Sequence, residues 1–293
     1  MNRSMITAGV SMYGLQQKLD ILANNIANVN TVGYKKQEAS FQDVLTNVTQ
    51  QEPSFKQAGR LSPLGYKNGY GTYLANVQTN FTSGALKESG NPLDLAVQGD
   101  ALFQLSVANT GAGGQTSVKT AFTRGGNFQL SSLGDSASNY LTTQDGYLVM
   151  GIPNGGNPNN PQPVKIPKDH AFTVDAYGNI TTRDLTNPYA RPVAAGRLLM
   201  VKPQQPEMLE LTGDNTYQLK EGAPANAMSA IAFNRLNPDA NQPKIYQGFL
   251  EQSNVDLADE MTELMTVQRA FQLNSRALAS SDVMAGLANN LRA

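Results

Sequence analysis

The sequence predicts an α+β fold in which long N-terminal and C-terminal helices form a coiled-coil-like pair and an antiparallel all-β domain is inserted between them. Three observations predict this fold class. Apolar residues recur at heptad spacing near the N-terminus, a second periodic stretch without proline runs from Asp256 to about Leu291, and the middle alternates apolar with polar residues between turn sequences. Because the inserted domain separates the helices in sequence, they must come together in space.

The first helix carries two apolar stripes on roughly opposite faces. Gly9 and Gly14 each weaken the helix by about 1 kcal/mol relative to alanine, so we expect it to depend on packing. The second stripe consists of Ile6, Val10, Tyr13 and Ile21. The first stripe follows the spacing of a coiled-coil seam and consists of Met5, Ala8, Met12, Leu15, Leu19, Leu22, Ile26 and Val29.

The C-terminal helix is also apolar on two sides. Asp256 is the expected N-cap, and Asp259, Glu260 and Glu263 are expected to serve the helix dipole and a solvated face. Two interpretations remain open, a helix buried in an ordinary bundle and a helix pair whose second face is covered by other copies of the chain. One seam contains Leu257, Met261, Leu264, Phe271 and Leu278, with Gln268 and Ser275 inside it, and the other contains Leu273, Ala277, Met284, Leu287 and Leu291.

The middle of the chain predicts β-hairpins. Turns at Gly99-Asp100, Asp145-Gly146 and 177–179 each separate two apolar-alternating runs, the first pair spanning Leu93 to Val107. Further strands are expected at 121–130, 198–201 and 209–219, and the Gly- and Pro-rich stretch from Gln50 to Tyr73 is expected to be an extended arm or loop.

Composition argues against several function classes. The 22 basic and 23 acidic residues give a formal charge of −1 without a basic run, so no nucleic-acid partner is expected. There is no apolar run of 18 residues and no segment like a secretory signal, so we expect neither membrane insertion nor a cleaved leader. With no cysteine and the single His170, no metal or other cofactor and no catalytic site is expected.

Three separated segments resemble the bacterial flagellar rod and hook protein family, most closely the distal-rod type. The N-terminal segment is Leu22–Lys35, LANNIANVNTVGYK, followed by Phe41. The other segments are Gly90–Asp100, GNPLDLAVQGD, with Phe122–Phe128, and Gln247–Leu257, QGFLEQSNVDL, with 260–265 and 268–276.

The resemblance implies a structural, non-enzymatic subunit of the flagellar basal body in the cell envelope. Such proteins leave the cytoplasm unfolded through the flagellar type III export apparatus, without a cleaved signal. They assemble with themselves and with other rod and hook proteins into a helical tube that transmits torque. The alternatives are a cell-wall-active enzyme resembling a peptidoglycan hydrolase and a transient assembly cap or hook protein.

We expect residues 1–33 and 248–293 to form a helical core domain at the assembly axis, 34–75 an arm or linker, and 76–247 an outer β domain. Gly33 is expected to adopt a positive φ where the chain turns out of the core. The expected subunit-interface residues are Met12, Leu15, Leu19, Leu22, Ile26, Val29, Met261, Leu264, Phe271, Leu278 and Leu287. The expected turn and signature residues are Asn24, Asn25, Asn28, Asn30, Gly33, Tyr34, Ser253, Asn254, Val255 and Asp256.

Overall fold

The computed structural model places the chain in two compact units, an α+β arrangement. It describes residues 3–43, 47–49, 66–69, 71–110, 116–132, 138–156, 160–186, 189–224, 226–231 and 242–291. The helical unit comprises Met1–Ala27, Gln37–Gln78 and Asp256–Ala293, and the β unit comprises Asn28–Lys36 and Thr79–Val255.

The helical unit contains two helices that pack against each other, α1 (Arg3–Ala27) and α2 (Leu257–Asn290). Two side-chain contacts between the helices run in reverse order, because Asn25 follows Lys18 in α1 while its partner precedes that of Lys18 in α2, so the helices are antiparallel. Lys18 pairs with Glu263 and Asn25 bonds to Glu260.

The face of α2 that packs in this unit repeats at three- and four-residue intervals, as Glu260, Leu264, Val267, Phe271, Asn274, Leu278 and Ser281. The predicted seam is therefore half correct. Leu264, Phe271 and Leu278 belong to it, but Leu257, Met261, Gln268 and Ser275 are exposed. From Leu264 the repeat continues through apolar Val267 rather than polar Gln268.

A β-hairpin packs beside α1 in the same unit. At the base of this hairpin, β1 (Gln37–Asp43) pairs with β4 (Thr72–Thr79), and further along it β2 (Asn47–Thr49) pairs with β3 (Tyr66–Asn68). Gly14 faces this hairpin closely, since a Cβ there would lie 3.2 Å from the Thr72 carbonyl oxygen and 3.4 Å from the Phe41 ring.

The predicted arm therefore consists in part of paired β-strands, because β3 and the start of β4 fall inside the predicted range of 50–73. Residues 50–65 and 70 of that arm lie outside the described residues.

In the β unit, the described strands form an antiparallel sheet whose main path is β14-β15-β16-β11-β7-β8-β19-β18, with β9, β10, β12, β13, β17 and β20 attached to it. Two shorter pairings, β5 with β22 and β6 with β21, lie outside this sheet. The strands are β5 (Leu86–Glu88), β6 (Leu95–Gln98), β7 (Leu102–Thr110), β8 (Thr116–Thr123), β9 (Gln129–Ser131), β10 (Ser138–Thr142), β11 (Leu148–Pro153), β12 (Gln162–Pro163), β13 (Lys165–Pro167), β14 (His170–Val174), β15 (Asn179–Asp184), β16 (Val193–Leu198), β17 (Met200–Pro203), β18 (Leu209–Gly213), β19 (Thr216–Leu219), β20 (Met228–Ala230), β21 (Lys244–Gln247) and β22 (Phe249–Glu251).

Two hairpin predictions and one strand prediction are confirmed. Thr142 pairs with Leu148 across the Asp145-Gly146 turn, and Val174 pairs with Ile180 across the second turn. The strand stretch 209–219 is a hairpin of β18 and β19, whose turn residues Asp214 and Asn215 have φ of 50° and 54°.

Two strand predictions are wrong. β6 and β7 do not form a hairpin, because β6 pairs with the distant β21 while β7 pairs with β8, β11 and β17. Alternation predicts a strand but does not specify its partner. The expected strand over 121–130 is interrupted between β8 and β9 by Gly125 and Gly126, and a Cβ at Gly126 would overlap the Leu95 backbone.

The described residues of the β unit form two apolar clusters. The larger one brings together residues from most of the sheet and from β21, including Leu95, Phe103, Leu141, Ile166 and Ile245. The smaller one is formed by Leu102, Phe122, Val201, Leu209 and Tyr217. The β21 residue Ile245 therefore completes a core that is otherwise built by earlier parts of the chain.

Candidate functional site

The first candidate site is the outer face of α2. At about 100° per residue, most of its exposed apolar side chains lie on the side opposite the face that packs in the helical unit, while Leu257 and Met261 lie at the edge of that packed face. Met261 is 52%, Leu273 64% and Leu287 59% exposed. An apolar surface of this kind on an isolated helix pair marks a site of protein contact. The exposed set is Leu257, Met261, Met265, Leu273, Val283, Met284, Leu287 and Leu291.

The end of α2 is exposed because α2 is longer than α1. The helices have 34 and 25 residues. The Asn25–Glu260 and Lys18–Glu263 contacts place Arg3, where α1 begins, level with about residues 278–282 of α2. Val283, Met284 and Leu287 therefore extend past the described part of α1.

Asn25 joins three elements of the helical unit. Its side-chain amide donates to the Gln37 carbonyl oxygen at 3.0 Å and to Glu260 Oε2 at 3.1 Å, and its Oδ1 accepts from the Gln37 N–H at 3.0 Å. Both Asn25 and Glu260 are buried. The prediction of a solvated Glu260 is wrong, because this carboxylate accepts a hydrogen bond inside the unit.

The predicted N-cap of α2 is confirmed. Asp256 Oδ1 accepts from the backbone N–H groups of Ala258, at 2.8 Å, and Asp259, at 3.4 Å. Such a cap satisfies donors that have no partner within the helix. Glu263, also expected on a solvated face, pairs with Lys18, whose ammonium also lies 5.7 Å from the centre of the Phe41 ring.

Most of the expected interface residues are covered, at least in part, within the free subunit. Leu22 is buried, while Met261 and Leu287 are exposed. Val29 lies beyond the end of α1 at Ala27, in the first segment of the β unit. The half-buried members are Met12, Leu15, Leu19, Ile26, Val29, Leu264, Phe271 and Leu278.

The expected turn residues fall into two groups. Asn24 and Asn25 lie in the last turn of α1, and the others lie in the β unit apart from the cap residue Asp256. Asn28 accepts from Thr31, Asn30 is exposed, and Tyr34 and Val255 are buried. Ser253 Oγ accepts from the Val255 N–H at 3.3 Å.

Gly33 has the predicted positive φ, at 68°. A Cβ at this position would lie 2.6 Å from the Gly125 nitrogen, so the site requires glycine for space as well as for conformation. Asn254 holds the same region, because its amide donates to the Asn80 carbonyl at 2.9 Å and its Oδ1 accepts from the Lys36 N–H at 2.8 Å.

The second candidate site is a cluster of three charged side chains buried in the β unit, Lys35, Arg124 and Glu251, here called the charge cluster. Glu251 Oε1 accepts from Lys35 Nζ at 2.6 Å and from the Gly84 N–H at 2.8 Å, and its Oε2 accepts from Arg124 Nε. Each of the three side chains is at most 1% exposed. Sequence reasoning missed this cluster.

The charge cluster holds two cations and one anion. Burial and the neighbouring Arg124 guanidinium lower the pKa of the Lys35 ammonium from its ordinary value of 10.5, while Glu251 acts in the opposite direction. The remaining donors of the cations reach backbone carbonyls and the Ser83 hydroxyl, to which Arg124 donates at 3.3 Å. Lys35 Nζ donates to Thr82 at 2.7 Å, and Arg124 donates to Val97 at 2.8 Å and to Ala101.

The described residues offer little support for catalysis. No group of three or more potential metal ligands occurs among them. A cleft of about 570 Å³ lies beside β11, β15 and β16, and its lining includes Tyr177 and Arg197. Among the described residues that line it, Asp175 is the one carboxylate. Glycoside hydrolysis typically requires a pair of carboxylates. None of the described helices is long and apolar enough to cross a bilayer.

An exposed apolar helix face on one unit and a β unit with its own core define a structural protein that associates with other protein chains. Comparisons with known proteins agree. The family model described as "Flagella basal body rod protein" matches residues 9–35, and that described as "Flagellar basal body rod FlgEFG protein C-terminal" matches residues 246–291.

Full-length relatives give the family. The flagellar basal-body rod protein FlgG of Bacillus subtilis (strain 168) is 35% identical over 287 residues, which cover 96% of each chain. FlgG of Borreliella burgdorferi is 29% identical over 100% of this chain and 99% of the relative. The flagellar hook-basal body complex protein FlhP of Bacillus subtilis is 30% identical over the full length of both chains. This chain belongs to the family of bacterial flagellar basal-body rod proteins, and its FlgG relatives support the distal-rod type.

Family membership confirms the resemblance and its main consequence. The chain is a structural subunit of the rod in the flagellar basal body. Its relatives are named as flagellar basal-body rod proteins, a family of non-enzymatic proteins, and the chain is accordingly not an enzyme. The two family models each cover part of the charge cluster, since Lys35 lies in the first and Glu251 in the second, and the second model also covers the outer face of α2.

Proposed function

We propose that this rod subunit polymerises through its helical unit into a helical tube that transmits torque. The observation that carries the proposal is the apolar face of α2 that remains exposed opposite the face that packs in the helical unit. A lone subunit leaves this surface in water, and a second copy can cover it at a gain of about 25 cal/mol per Å² of apolar surface. A contact between different patches of identical subunits repeats without closing and produces a filament.

Within one subunit, we propose that α1 and α2 form a coiled-coil-like pair. The three- and four-residue repeat of the packed α2 face supports this pairing, because a 3.5-residue average is the period that keeps one seam facing a partner helix. The Lys18–Glu263 ion pair and the Asn25–Glu260 hydrogen bond fix its direction and register.

Between subunits, we propose that neighbours contact the exposed α2 set and the parts of the predicted interface residues that stay accessible. Met261 and Leu287 are exposed members of that prediction. The half-buried residues, among them Leu15, Leu19 and Phe271, can contact their own partner helix and a neighbour at once. Torque then passes through many parallel helix contacts rather than through a single residue.

The proposal also assigns roles along the chain. Residues 1–33 and 248–293 serve as the axial core, 34–75 as a linker or arm, and 76–247 as the outer domain. Proposed partners are other copies and the other rod and hook proteins of the flagellar axis. The proposed route out of the cytoplasm is the flagellar type III export apparatus. Near-neutral charge and the absence of a basic run support the proposal that nucleic acid is not a partner.

The decisive experiment compares aspartate substitutions at equally exposed apolar positions. Leu273→Asp on α2 and Val118→Asp on β8 replace residues that are 64% and 67% exposed, so neither should destabilise the free subunit appreciably. In a strain lacking the native gene, L273D should abolish rod assembly and motility, because assembly would bury an unpaired charge. V118D should assemble. Normal motility of the L273D strain would refute the proposed interface.

A further inference from the structure

The charge cluster is built from three distant parts of the chain. Lys35 precedes the main sheet, Arg124 follows β8, and Glu251 ends the last strand of the β unit. Lys35 and Glu251 are 216 residues apart in sequence, and Arg124 and Glu251 are 127 apart. Both cations therefore precede, along the chain, the one carboxylate that pairs with them.

The strand pairing around the charge cluster has the same dependence on the C-terminal segment. β5 pairs with β22, and β6 pairs with β21, so residues 244–251 supply the partners of two early strands. The Gly33 N–H donates to the Glu251 carbonyl oxygen at 2.8 Å. Ile245 of β21 is also buried in the larger core. Without this segment, none of these interactions can form.

Backbone carbonyls cannot replace the Glu251 carboxylate. The carbonyls of Thr82, Val97 and Ala101 accept hydrogen bonds from the two cations but contribute no net charge. Two buried cations without a carboxylate repel each other and lose their hydration, which is one of the most unfavourable arrangements in a protein interior. Until Glu251 arrives, Lys35 and Arg124 are more stable in water.

We propose that the charge cluster is a closing latch. The region around Gly33, Lys35 and β6, here called the base of the β unit, packs only when residues 244–251 join it. The β7–β8 hairpin, whose pairing is local in sequence, forms first. The region around Gly33, Lys35 and β6 closes later, together with β21 and β22. A chain that emerges N-terminus first therefore keeps this base open until Glu251 is available. The latch is a property of the free subunit and does not depend on the proposed assembly.

Refolding of the full-length chain with pulsed hydrogen exchange and mass spectrometry tests the order of closing. The β7–β8 amides should gain protection first, and those of Gly33 and β6 should gain it in the same later phase as 244–251. Protection of β6 before 244–251, or of all these segments in one phase, would overturn the latch.

Native-state exchange of variants tests the role of the carboxylate. Glu251→Gln should increase opening of β6 and β21 by at least about a hundredfold, because it leaves both cations uncompensated. It should leave β7–β8 protected. Lys35→Met, which keeps the Arg124–Glu251 pair, should have a smaller effect. Glu210→Gln, the same chemical change at an exposed site of β18, should have none.

The variant results are decisive in each direction. Equal opening in Glu251→Gln and Glu210→Gln would show that the carboxylate is not needed for closing. Loss of β7–β8 protection in Glu251→Gln would show that the cluster supports the whole β unit rather than its last step. Either result would overturn the latch.

Discussion

Asn25 gives the sharpest test of how the helical unit is held together. Replacing it with alanine removes its amide donor from the buried Glu260 carboxylate and breaks two hydrogen bonds to the Gln37 backbone. A lost hydrogen bond to a buried charge costs about 1.5–3 kcal/mol. The Gln37 backbone groups are partly reached by water and add about 1 kcal/mol, so Asn25→Ala should destabilise the helical unit by about 2.5–4 kcal/mol.

Hydrogen exchange in the free subunit measures this effect unit by unit. The equilibrium constant for opening of α1 and α2 should rise by roughly two to three orders of magnitude, while the β-unit amides should be unchanged. Gln16→Ala, at an exposed position of α1, is the control and should stay within about 0.5 kcal/mol of the wild type. An Asn25→Ala effect no larger than that of Gln16→Ala would refute the claim that Asn25 holds the helices and hairpin together.

Three further predictions follow from the geometry. Gly33→Ala should destabilise the β unit by more than about 2 kcal/mol in denaturant titrations. Gly146 also has a positive φ, but no atom lies within 4 Å of an added Cβ there, so Gly146→Ala should cost about 1 kcal/mol; equal losses would contradict the close packing at Gly33. Val267→Ala should destabilise the helical unit by about 2 kcal/mol because Val267 is buried, and Gln268→Ala should cost less than about 0.5 kcal/mol because Gln268 is exposed. The reverse ranking would show that the helix packs through the predicted seam containing Gln268. Because the pKa of Lys35 is lowered in the folded chain, the unfolded chain binds more protons than the folded chain between that pKa and 10.5. The free energy of unfolding of the β unit should therefore rise with pH in this window, and an unchanged rise in Lys35→Met would assign the rise to another group.

The parts of the fold that local patterns determine could be predicted from the sequence. Both helices, the Asp256 cap and the Asp145-Gly146 hairpin depend on residues a few positions apart, and the structure confirms them. The antiparallel β unit also follows from alternating patterns between turn residues.

The pairings that join distant segments could not be predicted in the same way. The alternation in β6 is consistent with either β7 or β21 as its partner, and its buried residues require cover that only the tertiary fold specifies. The prediction of the α2 seam was partly wrong because Met261 continues the apolar pattern in the sequence, whereas the residue that packs at this turn is the charged Glu260. Its partner is an asparagine 235 residues away, a relation that helical periodicity does not contain.

The charge cluster was missed for a related reason. Lys35, Arg124 and Glu251 each stand in a segment where a lone charged residue normally lies at the surface. Glu251 does follow the apolar pair Phe249 and Leu250, which is a weak local sign of burial. The three residues meet only after the sheet has formed, so their spacing in sequence carries no recognisable motif.

The most direct test of the central claim is cysteine accessibility on the outer face of α2. The chain contains no cysteine, so Leu287→Cys provides a unique thiol at an exposed position. Maleimide should label this thiol rapidly in the free subunit and only after denaturation in purified native basal bodies. Equally rapid labelling of the free subunit and of intact basal bodies would contradict the claim that neighbouring subunits cover this face.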